Sequence, residues 1–138
     1  MAHLQHKAVT DSVAAFFVFN EMLSGYDITT GQQKRNAIFE VNQQIVLAGL
    51  YNGGFFNEAA FYGGTCLRIF HGLQRFSENL DFSLLAPNDN FEFTQYFQPI
   101  VDIFAMVGRE VEIKKKDKKN FGKVESAFLK DNTDVYLC

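Results

Sequence analysis

The fold of this 138-residue chain is decided by one stretch of sequence, which reads Gly63-Gly64-Thr65-Cys66-Leu67-Arg68 and then Arg75-Phe76-Ser77-Glu78-Asn79-Leu80-Asp81-Phe82. The segment after the glycine pair predicts a helix from Thr65 to Phe70 that ends near Gly72. The polar and apolar alternation that follows predicts a strand from Asn79 to Leu84. The stretch therefore predicts a turn into a helix, followed by a strand.

The glycine pair is a candidate site for phosphate. Without Cβ atoms, Gly63 and Gly64 would let the backbone approach a phosphate group closely. The helix that begins near Thr65 would offer free N–H groups and the positive end of its dipole, and the Thr65 hydroxyl could add a hydrogen bond. Glycine pairs are also common in structural turns, so the dipeptide alone leaves both interpretations open.

The strand that follows is a candidate site for a metal ion. Asn79 and Asp81 are two residues apart, so both side chains leave the same face, while Leu80 and Phe82 point to the core. Two oxygen ligands on one strand face could hold Mg²⁺ against nucleotide phosphates. The alternative is a solvated carboxylate at Asp81 and a turn-capping amide at Asn79.

Two residues immediately before the strand extend the candidate site. Arg75 and Ser77 have side chains that bind phosphate, and arginine can do so with two parallel hydrogen bonds. Arg75 could instead pair with Glu78 at the surface.

The N-terminal half of the chain predicts helices. Residues Val9 to Leu23 are apolar nearly all round and predict a helix that is either buried or covered by a partner and that ends at Gly25. Thr30 and Gln33 have the spacing of a capping box, followed by an apolar pattern that predicts an amphipathic helix from residue 31 to about 51. The short apolar segment from residue 59 to 62 is either a strand or a helix end.

The C-terminal half predicts one more helix and then strands. A helical stripe closed by Gly108 contains Pro99, so the helix should kink or start late. The stripe comprises Phe93, Phe97, Ile100, Phe104 and Val107. Alternating segments at 110–116, 123–129 and 133–138 predict strands, the first two joined by a hairpin. We expect a single domain over residues 1–138 with an α+β fold, in which N-terminal helices pack against a small mixed sheet.

Composition excludes some classes of protein. Apolar residues make up 47% and charged residues 21%, which is typical of a folded chain. The net charge of −3 argues against general affinity for nucleic acid, although five of the thirteen Lys and Arg residues lie between Lys114 and Lys119. That cluster is either a solvated hairpin or a contact for nucleic-acid phosphates. The sequence shows no signal peptide, membrane span or disulfide framework, so we expect a cytoplasmic protein.

The two parts of the opening stretch together resemble the AbiEii/AbiGii-type nucleotidyltransferase toxins of the DNA polymerase β-like nucleotidyltransferase superfamily. The resemblance runs from about Tyr26 to the C-terminus and is most specific at residues 59–68 and 75–84. It implies a metal-dependent enzyme of toxin–antitoxin or abortive-infection type, which transfers a nucleoside monophosphate from a nucleoside triphosphate to an acceptor hydroxyl. Some such toxins modify tRNA 3′ ends, and a cognate antitoxin often neutralises them.

The resemblance also implies roles for individual residues. Gly63, Gly64 and Thr65 would bind the nucleoside triphosphate, and Arg75 and Ser77 would contact its phosphates. The two metal ligands, which are also the catalytic positions, would be Asn79 and Asp81, with Mg²⁺ as the expected ion.

Two departures from the family pattern keep the question of activity open. The first metal ligand is usually Asp, and here it is Asn79. The sequence shows no third carboxylate on a later strand and no further C-terminal helical part, and Asp131 and Asp134 are poor substitutes. We therefore expect the N-terminal part of such a protein, with an exposed sheet edge at its C-terminus through which it forms a homodimer. The alternative is a catalytically inactive relative or fragment that serves as a nucleotide-binding or protein-interaction module.

Overall fold

The computed structural model describes residues 17–74, 76, 79–116, 126–130 and 135–137, with side chains for those up to residue 115. Four α-helices occur in this part of the chain: residues 17–24 (α1), Gly31–Asn52 (α2), Gly63–His71 (α3) and Phe97–Met106 (α4). Short 3₁₀ turns lie at Phe55–Asn57 and at Phe93–Tyr96, the second of them directly before α4. No helix among these residues is long and apolar enough to span a bilayer.

The strands form one mixed sheet. They are Ala59–Tyr62 (β1), Asn79–Leu84 (β2), Glu112–Lys116 (β3), Ser126–Lys130 (β4) and Val135–Leu137 (β5). Their order across the sheet is β1-β2-β5-β4-β3. The β2–β5 pair is parallel and the other pairs are antiparallel. The prediction of an α+β fold with a small mixed sheet is therefore confirmed.

The last strand lies inside the sheet, and the predicted exposed edge at the C-terminus is wrong. β5 pairs with β2 through Asn79 and Tyr136, and with β4 through Phe128 and Tyr136. The reason is that β1 occupies only one edge of β2, so the other edge can receive the β4–β5 hairpin. Among the described strands the two edges are β1 and β3.

Helix α2 begins as the sequence predicts. The Thr30 side chain accepts a hydrogen bond from the backbone N–H of Gln33, and the Gln33 side chain accepts one from the backbone of Thr30. The sequence predicts a helix that is buried on one side only. In the structure, the buried residues between Glu40 and Leu50 point in most directions around the helix axis. This helix lies in the interior, with α4 so close that a Cβ on Gly49 would be 2.6 Å from the Cα of Ile100.

Phenylalanine rings fill the space between the helices and the sheet. Phe55 is 1% exposed, and its ring contacts the rings of Phe56, Phe82, Phe91, Phe93 and Tyr96.

Pro99 lies in the first turn of α4, where a missing N–H costs no helical hydrogen bond, so the predicted late start of this helix is confirmed.

The N-terminal helix is only partly as predicted. It ends at Gly25, and Phe19, Met22 and Leu23 pack against the core, but Phe17 and Val18 are exposed. The segment from residue 9 to 16 lies outside the described residues, as does the predicted hairpin turn at 117–125.

Candidate functional site

The predicted phosphate and metal positions meet at one end of the β1–β2 ladder. Strand β1 ends at Tyr62, which caps α3, and Tyr62 is paired with Asp81 of the neighbouring strand. The first turn of α3 therefore begins beside the Asp81 side chain. Free backbone N–H groups and the positive end of the helix dipole occur at this same terminus.

Gly63 is required at the start of α3 for two reasons. Its backbone φ angle of +86° is in the left-handed region, which residues with a Cβ atom rarely adopt. A Cβ at this position would also lie 2.7 Å from Oδ2 of Asp81. The absence of a side chain thus leaves room for a carboxylate at the helix terminus. Gly64 is the second residue of the helix.

Strand β2 has the predicted faces. Leu80 is fully buried, and the Phe82 ring lies 4.9 Å from the Phe55 ring in the core. On the other face, Asn79 is exposed and Asp81 is partly buried. The amide oxygen and the carboxylate are thus on the face that does not contribute to the core.

Thr65 lies inside the fold. The residue is completely buried, and its hydroxyl donates a hydrogen bond to the backbone carbonyl of Asn79. The hydroxyl therefore joins α3 to the first residue of β2. Gly63 and Gly64, which are partly exposed, are the residues of the first turn whose backbone is open to phosphate.

The predicted phosphate contacts at Arg75 and Ser77 fall outside the described residues. Between them, Phe76 is described, and its ring lies under the guanidinium of Arg68, with Cζ 3.6 Å from the ring centroid. The structure thus brings together Gly63, Asp81 and Asn79.

A buried polar network next to this site was not found from the sequence. Arg68 forms an ion pair with Glu40 of α2, and Glu40 accepts a hydrogen bond of 2.9 Å from the Tyr26 hydroxyl. Burial raises the pKa of Tyr26 to about 12, and the hydrogen bond to Glu40 and its charge contribute in the same direction. The one available signal was an arginine within a helix of only nine residues, among mainly apolar neighbours.

The donor set around β2 fits a hard cation in part. Asp81 and Asn79 offer a carboxylate and an amide oxygen, which are ligand types that Mg²⁺ binds, and nucleotide phosphates and water commonly supply the remaining ligands. In the described part of the chain, no group of three or more His, Cys, Asp and Glu residues is placed to hold a metal. A metal at this position would therefore depend on the nucleotide for much of its coordination.

The sequence model of one protein family matches residues 45–137, which is more than half of the chain, and its description is "Nucleotidyl transferase AbiEii toxin, Type IV TA system". The chain belongs to this family of nucleotidyltransferase toxins of toxin–antitoxin systems. The matched region contains β1, α3 and β2 and therefore the whole candidate site. Neither a curated protein nor a solved structure matches the chain.

Proposed function

We propose that the end of the β1–β2 ladder binds a nucleoside triphosphate together with Mg²⁺. The observation that carries this proposal is the contact between the Cβ-free face of Gly63 and the carboxylate of Asp81 at the start of α3. A helix terminus attracts phosphate, and a carboxylate beside it attracts the metal that accompanies the phosphate.

Each residue has a distinct part in this proposal. The backbone N–H groups of Gly63 and Gly64 bind phosphate, the buried Thr65 supports this turn through its hydrogen bond to Asn79, and Asp81 and Asn79 hold Mg²⁺. Arg75 and Ser77 contribute further phosphate contacts. When bound, Mg²⁺ neutralises phosphate charge and orients the triphosphate for in-line attack.

The proposed reaction is transfer of a nucleoside monophosphate to an acceptor hydroxyl, with the 3′ end of tRNA as the acceptor. Membership of the toxin family supports the reaction class. The exposed lysines 114 and 115 on the edge strand β3 support an acceptor with a phosphate backbone. A cognate antitoxin and a cytoplasmic location belong to the same proposal.

A second candidate function is nucleotide binding without transfer. Asn79 favours it, because an amide oxygen gives the metal a dipole but no negative charge. With Asp81 as the only carboxylate on this strand face, Mg²⁺ would be held weakly between phosphates. The chain would then act as a nucleotide-binding or protein-interaction module.

Incubation with each radiolabelled nucleoside triphosphate, Mg²⁺ and total tRNA distinguishes the two functions. Label in the RNA that disappears in Asp81→Asn supports transfer. Calorimetric binding of Mg·ATP, or of another of the four triphosphates, without label in the RNA supports the second function. The matched control is Asp102→Asn, which removes an exposed carboxylate from α4. Absence of both binding and label overturns both functions.

A further inference from the structure

Arg68 of α3 contacts the chain that leads from α3 to β2. Nη1 of Arg68 donates hydrogen bonds to the backbone carbonyls of Leu73 (3.2 Å) and Gln74 (2.9 Å). The same guanidinium lies over the ring of Phe76. Arg68 therefore fixes the path of the chain over most of the first half of this connection.

Arg68 is itself fixed from the interior. Its Nε donates to Glu40, which is 7% exposed and lies on the central helix α2. Glu40 in turn accepts from the Tyr26 hydroxyl, and that hydroxyl also accepts from Gln44 at 3.3 Å. The guanidinium is thus oriented by a network that reaches α2 and the segment after α1.

The first residue of β2 is held by the other end of α3. The buried Thr65 hydroxyl donates to the backbone carbonyl of Asn79. Two side chains of one short helix thus contact the chain on both sides of the connection, Arg68 at Leu73 and Gln74 and Thr65 at Asn79.

We propose that Arg68, oriented by Glu40, is a positioning residue for the nucleotide site. Its planar fork holds Leu73, Gln74 and Phe76 so that β2 begins with Asn79 next to Asp81. The inference rests on the proposed function of that site and adds a residue that touches neither metal nor nucleotide. Residues that orient metal ligands in this way affect affinity by about 10- to 100-fold.

The substitution Arg68→Lys separates positioning from charge. Lysine keeps the positive charge beside Glu40 but cannot bond Glu40 and two carbonyls with one planar group. The matched control is Arg109→Lys, because Arg109 also donates to a buried α2 side chain, Asn42 (3.1 Å), and lies 4.5 Å from the centroid of the Phe19 ring. Both substitutions remove a partly buried guanidinium group, but only Arg68 is next to the candidate site.

Two measurements are needed on each variant, at a temperature at which circular dichroism shows it folded. The first is hydrogen exchange of backbone amides between Leu73 and Asn79, which needs no ligand. The second is calorimetric titration with Mg·ATP, and with the other three triphosphates where ATP does not bind. For Arg68→Lys we expect faster exchange in this connection and a loss of affinity of about tenfold or more. For Arg109→Lys we expect neither change.

Each outcome decides between the two proposals. Unchanged exchange in Arg68→Lys overturns the positioning role, whatever the titration shows. Faster exchange with unchanged affinity also overturns it, because the connection would then not control the site. Faster exchange in a chain whose parent binds no triphosphate overturns the proposed function and, with it, the role of Arg68 in nucleotide binding.

Discussion

The carboxylate of Asp81 occupies the space that a side chain at Gly63 would fill. Oδ2 of Asp81 lies 2.7 Å from the ideal Cβ position of Gly63, whose φ is +86°. The flexible end of a side chain can rotate away from a new methyl group at little cost. A substitution at Gly63 should therefore change the direction of the carboxylate more than it changes the fold.

Gly63→Ala tests this relationship against Gly54→Ala. Gly54 has a φ of +80°, and its Cβ position has only an ordinary contact of 3.5 Å with the side chain of Asn57, so alanine there adds mainly backbone strain. We expect both variants to lose about 1–2 kcal/mol of unfolding free energy in urea titrations. Only Gly63→Ala should lose calorimetric binding of Mg·ATP, because Asp81 must turn away. Equal binding by the two variants would contradict the site.

Asn79→Asp should strengthen metal-dependent binding of nucleotide. A second carboxylate on the same strand face adds a charged ligand for Mg²⁺, so we expect about tenfold tighter binding of Mg·ATP by calorimetry. Ser83→Asp is the control, because it adds the same charge on the same strand face, but Ser83 pairs with Ala60 of β1 and so lies farther from the start of α3 than Asp81, which pairs with Tyr62. Binding that is unchanged or weaker in Asn79→Asp would mean that Asn79 is not a ligand.

Gly49→Ala should destabilise the contact between α2 and α4. The new Cβ would lie 2.6 Å from Cα of Ile100 and 3.0 Å from Cγ2 of Ile103, and the first of these atoms is backbone. We expect a loss of about 3 kcal/mol or more in the free energy of unfolding. Gly31→Ala, at the open start of the same helix, should instead stabilise by about 0.5 kcal/mol. A loss below about 1 kcal/mol at Gly49 would show that the helices can separate easily.

Stability should fall in alkaline solution because of two tyrosines. Burial raises the pKa of Tyr26 and of Tyr96 to about 12 each, assisted by hydrogen bonds to Glu40 and Glu58 respectively. The pKa of a tyrosine in the unfolded chain is near 10. The contribution of each protonated tyrosine to the free energy of unfolding is therefore complete below pH 10 and is lost as the pH rises to about 12. Each should reduce the unfolding free energy by up to about 1.4 kcal/mol per pH unit in that range.

Urea titrations between pH 8 and pH 11.5 measure this effect. Tyr26→Phe and Tyr96→Phe should each be less stable than the parent at pH 8 but lose less stability above pH 10. Alkaline slopes equal to that of the parent in both variants would exclude these hydroxyl groups as the cause.

Local signals were sufficient for several elements of the fold. The bounds of β2 follow from the alternation of Asn79 to Leu84, and the start of α2 follows from Thr30 and Gln33. Both signals act between residues close in sequence. The glycine pair also marks the start of a helix, because the unusual φ of Gly63 is needed at that position.

Contacts between distant residues could not be predicted from the sequence. Arg68 and Glu40 are 28 positions apart, and nothing in either segment identifies the other as its partner. The hydrogen bond from the Thr65 hydroxyl to Asn79 likewise joins residues 14 positions apart, and no local pattern indicates it. The place of β5 depends on which edge of β2 is open, which is a property of the assembled sheet.

The parallel pairing of β2 with β5 has a consequence for synthesis of the chain on the ribosome. Strands β1 and β2 emerge well before Val135–Leu137, and among the described strands β5 alone connects them to β3 and β4. Closing such a long loop is slow compared with local pairing. The nascent chain should therefore present the open edge of β2 until β5 emerges, which is the period in which chaperones would protect it from aggregation.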